Sequence, residues 1–133
     1  MTLVDTSAWV EYLRGSDSDA RTQLHRLLEE AAPLHATDVV VMEVLAGARD
    51  ETHATQLRRL LSRCEFVPVE SLRDYESAAL LYRQCRRGGE TIRALTDCLI
   101  AAVAIRAGLD LLQADKDFEA LERNTPLRLY SAG

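Results

Sequence analysis

Apolar positions along the chain come in short blocks that alternate between the spacing of strands and the spacing of helices. Thr2 to Val4 reads as a strand. Asp5-Thr6-Ser7 then supplies the polar start of a helix that runs to Leu13 and stops at Gly15. Between Asp19 and Ala31, Leu24, Leu27, Leu28 and Ala31 share one side of a helix, with Glu29 and Glu30 outside it. Pro33 breaks that helix, and Leu34 to Ala36 is the second expected strand. Thr37 or Asp38 is placed to cap an apolar helix over Val39 to Ala48. A helix is expected over Thr55 to Ser62, a strand over Glu65 to Val69, and a long amphipathic helix over Ser71 to Arg87, ended by Gly88-Gly89. Leu95 to Ala107 is an almost wholly apolar helix closed by Gly108. A strand over Leu109 to Ala114, a helix over Lys116 to Arg123 and a last strand over Leu127 to Tyr130 complete the pattern.

Strands alternating with helices predict an α/β domain with a parallel sheet covered on both faces, in which ligands collect at the carboxyl ends of the strands. Asp5 and Asp115 fall at such ends. The 133 residues suit a single domain over 1–133. No apolar run approaches the ~20 residues that span a bilayer, so no membrane association is expected. Asp5 stands where a secretion signal would be apolar, and no basic lead precedes it. Three cysteines without a close pair argue against a disulfide framework, and a cytoplasmic location is expected. The three histidines lack the spacing of a helical zinc site. A formal net charge of -5 excludes a nonspecific nucleic-acid coat, but the charge is uneven. Residues 58–93 hold eight arginines against five acids, and Lys116 is the only lysine.

Three acids stand alone in apolar segments. Asp5 is the only charged residue from Met1 to Val10, Glu43 the only polar one from Val39 to Ala48, and Asp97 the only charged one from Ala94 to Ile105. Carboxylates are rarely buried without a partner, so each needs an explanation. Asp5 and Asp97 each read either as a helix cap or as a ligand, and Glu43 either as half of a buried ion pair or as a ligand. If the acids converge, two carboxylates ~5 Å apart repel by about 3 kcal/mol at an effective dielectric near 20, so the cluster must take up protons or a hard cation. Magnesium or manganese suits an all-carboxylate set, whereas calcium takes more oxygen ligands. Such sites attack phosphodiesters through metal-activated water.

The order of the acids narrows the class. A haloacid-dehalogenase-type phosphatase needs a second Asp two positions after the first, and that position is Ser7. Response-regulator receivers need adjacent acids near the first strand, and ribonuclease H folds open on an antiparallel meander. The sequence instead resembles the PIN-domain ribonucleases, and within them the VapC-type toxins of bacterial toxin–antitoxin pairs. The resemblance rests on Leu3-Val4-Asp5-Thr6-Ser7-Ala8-Trp9, on Met42-Glu43-Val44-Leu45-Ala46-Gly47, on Arg93 through Ala102 with Asp97 at its centre, and on Asp115-Lys116-Asp117-Phe118.

That resemblance implies a three-layer α/β/α fold with Asp5, Glu43, Asp97 and Asp115 around one or two Mg2+ or Mn2+ ions. Asp5 and Asp97 would be the most direct ligands, with Glu43 and Asp115 completing the site or orienting water. Asp117 is assigned a supporting or capping role, because positions i and i+2 of a helix point apart, although either Asp115 or Asp117 can be the fourth acid. Thr6 or Ser7 is a candidate hydroxyl donor to Asp5 or to a phosphate, and Arg93 a candidate phosphate contact. The implied reaction is endonucleolytic RNA cleavage leaving 5′-phosphate and 3′-hydroxyl ends. The implied partners are an RNA substrate, a small VapB-type antitoxin that lays an Arg on the acids, and a second copy of the chain in a homodimer. The stretch from Arg83 to Arg93 would guide RNA. Trp9, Tyr12 and Leu13 read either as core or as partner-facing. Two other classes share these residues: a non-catalytic module that holds a basic peptide in the acidic groove, and a magnesium-dependent small-molecule phosphatase.

Overall fold

The computed structural model describes residues 1–132. The elements run β1 (Thr2–Val4), α1 (Thr6–Arg14), α2 (Asp19–Glu29), β2 (Leu34–Ala36), α3 (Asp38–Ala46), α4 (Glu51–Leu61), β3 (Glu65–Phe66), α5 (Ser71–Arg87), α6 (Leu95–Ala107), β4 (Asp110–Leu112) and α7 (Lys116–Asn124). All strand pairs are parallel, in the order β3-β2-β1-β4. Thr2 pairs with Leu34 on one side and Asp110 on the other, so β1 is central. α1 packs on α2 and on α3, α3 packs on α4, and α5, α6 and α7 form a second group. This is the three-layer arrangement expected from the alternating pattern.

The core explains why the helices sit where they do. Leu3 and Val4 of β1, Leu111 of β4 and every residue from Cys98 to Ala104 in α6 are buried, so α6 is apolar on all sides because it is covered on all sides. Gly108 ends α6 in the left-handed region at φ 68°, which costs a residue with a side chain about 1 kcal/mol or more. Trp9 is fully buried and packs edge-on against Tyr12 at 6.1 Å, which places it in the core rather than on a partner-facing surface.

Three boundaries differ from the sequence pattern. β3 ends at Phe66 rather than Val69, because Pro68 has no N–H to give and the Val69 amide donates instead to Asp38 Oδ1. The expected last strand reduces to one bridge between Leu111 and Leu129, and the Leu129 amide goes to Glu122 Oε2. α4 begins at Glu51, four residues early, because the Asp50 side chain caps it by accepting from the His53 amide at 2.8 Å.

One buried acid escaped the sequence pattern. Asp74 on α5 accepts from Arg106 of α6 at 2.9 to 3.2 Å, which ties the two helices together and draws its pKa down. A second tie joins α5 to α7. A Cβ on Gly88 would lie 2.1 Å from Asn124 Oδ1, while the Asn124 amide donates to Glu90 and to the Ala120 carbonyl. Gly88→Ala is therefore expected to dislodge Asn124 and cost about 1–2 kcal/mol, read as a lowered urea midpoint with unchanged slope.

Candidate active site

Four of the five acids singled out in the sequence lie on segments that leave the carboxyl ends of β1 and β4 or begin a helix; Glu43 comes from within α3. Asp5 follows β1 and caps α1. Its Oδ2 accepts from both the Ser7 amide at 2.8 Å and the Ser7 hydroxyl at 2.5 Å. Ser7 Oγ in turn accepts from the Ala114 amide at 2.9 Å, and the Asp5 amide donates to the Leu112 carbonyl at 2.9 Å. The end of β1 is thereby fastened to the end of β4. Asp5 Oδ1 is left buried without a partner among the described residues, so the cap explains one oxygen and not the other.

Glu43 reaches the same region from α3, where Thr6 donates to its Oε1 at 2.6 Å. Of the two hydroxyls suggested for Asp5, Ser7 serves it and Thr6 serves Glu43. Asp97 is the third residue of α6, and the cap position is Ala94, so Asp97 is not the helix cap. Its carboxylate accepts no hydrogen bond from any described residue.

Asp115 caps α7 in extended backbone, with φ −130° and ψ 131°, and accepts from the Asp117 amide at 2.9 Å. The helix-face rule that set Asp117 apart from Asp115 therefore does not apply, because only Asp117 is helical. Carboxylate oxygens of Asp97, Asp115 and Asp117 lie within 4.8 Å of one another. Arg93, expected to meet a phosphate, is engaged with these acids. Its backbone amide and Nε donate to Asp117 Oδ2 at 3.0 and 3.1 Å, and Nη2 donates to Asp115 Oδ1 at 2.9 Å. Arg93 leaves Asp5, Glu43 and Asp97 without a cationic partner among the described residues.

The electrostatics follow. Burial pushes the Asp97 carboxyl up to about 7, helped by the charges of Asp5, Asp115, Asp117 and Glu43. Burial also raises Asp5 to about 6, against its bonds from Ser7 and with the charge of Glu43. Both folded-state values lie above the ordinary 3.8, so between roughly pH 4 and 7 the folded chain holds protons that the unfolded chain has released. Stability of the metal-free protein is therefore expected to fall as pH rises through that window. Melting curves in EDTA at pH 5.5 and 7.5 should show the higher midpoint at pH 5.5, and Asp97→Asn should flatten the difference.

The donor set suits a hard divalent cation. It is all oxygen and anionic, it holds one buried oxygen without a proton to accept, and its most repelled member lies near the centre of the charge. Fold and site together define an α/β protein with an acidic groove at the carboxyl ends of a parallel sheet.

The PIN domain family matches residues 2–124. The chain is 45% identical over 132 residues to a VapC ribonuclease of Mycobacterium bovis and to ribonuclease VapC11 of Mycobacterium tuberculosis, covering 98% of each chain in both comparisons. Among solved structures, VapBC2 from Rickettsia felis bound to a DNA fragment from its promoter matches with a TM-score of 0.75 at 20% identity, over 97% of this chain and 96% of that one. VapC20 of Mycobacterium tuberculosis, described as a sarcin-ricin loop cleaving toxin, matches with a TM-score of 0.64 at 20% identity, over 90% and 94%. The chain belongs to the PIN-domain family and, within it, to the VapC group.

Proposed function

We propose that this single-domain chain is the ribonuclease toxin of a toxin–antitoxin pair, a Mg2+- or Mn2+-dependent endoribonuclease that works in the cytoplasm. The observation that carries the reading is the convergence of Asp97, Asp115 and Asp117 within 4.8 Å, with Asp5 and Glu43 near enough for their charges to act on Asp97, and with one buried Asp5 oxygen that has no partner among the described residues. The 45% identity to curated VapC ribonucleases over nearly the whole chain supports the same activity.

One or two bound cations would supply a hydroxide nucleophile and charge stabilisation at the scissile phosphate. Asp5 and Asp97 would hold them, with Asp115 and Asp117 beside Asp97. Ser7 fixes the Asp5 rotamer, so the free oxygen is aimed before anything binds. Thr6 does the same for Glu43, which is placed to orient water or accept its proton. Arg93 holds Asp115 and Asp117 together and is near enough to meet a phosphate once their charge is taken up elsewhere. Arg83, Arg86 and Arg87 are exposed and form no ion pair within the described residues, which suits a track for the RNA backbone on an otherwise acidic chain. A VapB-type antitoxin and a homodimer complete the reading, in line with the VapBC complexes among the structural neighbours.

Incubation of the purified chain with a mixed RNA substrate tests it. Cleavage is expected with Mg2+ or Mn2+, abolished by EDTA, with 5′-phosphate and 3′-hydroxyl ends. Cleavage that persists in EDTA and leaves 2′,3′-cyclic phosphates would contradict a metal-activated water.

A further inference from the structure

A cavity of about 280 Å³ opens beside Glu43, between α1, α3 and α4. That is near the small end of the ~300–1,000 Å³ of ligand pockets, room for one nucleoside rather than a larger molecule. Other cavities lie away from the acids, including one of about 320 Å³ between α5 and α6. The cavity beside Glu43 has an apolar floor and a cationic rim. The buried Val44 and Leu57 supply the floor, and Leu13, Arg14, Arg49 and His53, all more exposed, line the mouth.

The rim is preorganised at one point. The Arg49 backbone amide donates to His53 Nδ1 at 3.0 Å, so the ring that accepts this bond carries its proton on Nε2. Nε2–H has no partner among the described residues. Arg49 forms no ion pair there either, and Arg14 makes only a loose 3.4 Å contact with Glu11 on its own helix. Two arginines and a histidine with one free N–H donor therefore line a small pocket that shares Glu43 with the acid cluster. An apolar slot suits the faces of an unstacked base, and the arginines suit the phosphate attached to it.

We propose that this cavity is a nucleotide subsite, which holds one base next to the scissile phosphate and selects keto bases. The selection follows from the donor. The subsite is taken to read the edge that carries position 6 of a purine or position 4 of a pyrimidine. There guanine and uracil present a carbonyl oxygen and adenine and cytosine an amino group, so a lone N–H at that edge pairs with the first two and meets another donor in the others. This inference rests on the ribonuclease reading, but its test does not need cleavage.

The experiment is NMR on the wild-type chain in EDTA, following the His53 ring resonance, assigned by its absence in His53→Gln. The probes are the four ribonucleoside 5′-monophosphates and inorganic phosphate. GMP and UMP are expected to move the resonance at concentrations about tenfold below those needed for AMP and CMP, the scale of one charge-assisted or well-aligned contact. Inorganic phosphate alone should move it less than any nucleotide. Asp97→Asn should respond as wild type does, which separates the subsite from the metal chemistry. If the wild-type chain cuts RNA, Arg49→Gln should raise KM about tenfold with kcat changed less than about twofold, and base preference at the cut should weaken in His53→Gln. A resonance unmoved by all four nucleotides, an equal response to nucleotides and phosphate, or a preference for AMP or CMP overturns the proposal. So does a resonance moved only by a basic amphipathic peptide, which would assign the cavity to a protein partner.

Discussion

Asp97→Asn is expected to lower RNA cleavage by about a thousandfold or more and to leave the fold intact. The substitution keeps the shape of the side chain and deletes the charge that faces Asp5, Asp115, Asp117 and Glu43. A cation held by the cluster would lose one of its anionic ligands, and the transition-state charge it would have neutralised would go uncompensated; a thousandfold corresponds to about 4 kcal/mol. The same deletion relieves repulsion in the metal-free protein. Asp97→Asn is therefore expected to melt no lower than wild type in EDTA at pH 7.5. Single-turnover cleavage and a melting curve on one preparation check both halves. A variant that cuts at wild-type rate removes Asp97 from the chemistry, and one that melts far below wild type makes Asp97 structural.

The largest structural effect is expected at Trp9→Ala. Trp9 is fully buried between α1 and the core, one turn from Asp5, and no smaller residue fills its place. Large-to-small changes of this kind cost about 3–5 kcal/mol, which for a domain of this size lowers the melting point by roughly 10–20 °C. Trp9→Phe is the informative control. The Trp9 Nε1 proton is buried without an acceptor, so the phenyl ring gives up volume but also removes a stranded donor. Its cost should stay below about 1.5 kcal/mol. Circular dichroism in urea reads both variants, since the chain has no other tryptophan. A similar loss for Phe and Ala would mean that the indole N–H is satisfied and matters.

Asp5, Glu43 and Asp97 were visible in the sequence because each breaks an apolar run, and a charge with apolar neighbours on both sides has few structural uses. The alternating pattern located the parallel strands for a related reason: Leu3 and Val4 of β1 and Leu111 and Leu112 of β4 are buried on both faces of the sheet, so apolar residues stand side by side in them instead of alternating with polar ones. Asp117 was harder to place. It lies in a charged stretch with Asp115. The sequence puts the start of the helix at Lys116, where it lies, but the helix-face rule applied across that boundary takes in Asp115, which is the extended cap. Asp74 escaped for the opposite reason. Arg73, Tyr75 and Glu76 surround it in sequence, so its burial on the α5–α6 seam leaves no local trace, and its partner Arg106 is 32 residues away. Arg93 was legible as a site residue but not in its contacts, because a phosphate and a pair of carboxylates ask different things of the same loop. The short β3 shows how one residue overrides propensity: Glu65 to Val69 has strand composition, and Pro68 ends the ladder.

The central claim is that these acids hold a divalent cation. Isothermal calorimetry of Mn2+ into the purified, EDTA-treated chain at pH 6.0, with Asp97→Asn alongside, tests it most directly. Wild type should bind one or two ions with release of protons, because Asp5 and Asp97, held near 6 and 7 by burial and repulsion, must give up protons to become ligands. Repeating the titration in buffers of different ionisation heat should expose that release, and Asp97→Asn should bind at least about tenfold more weakly. Heats of dilution alone from the wild-type chain at millimolar Mn2+, or equal binding by the two proteins, would contradict the account.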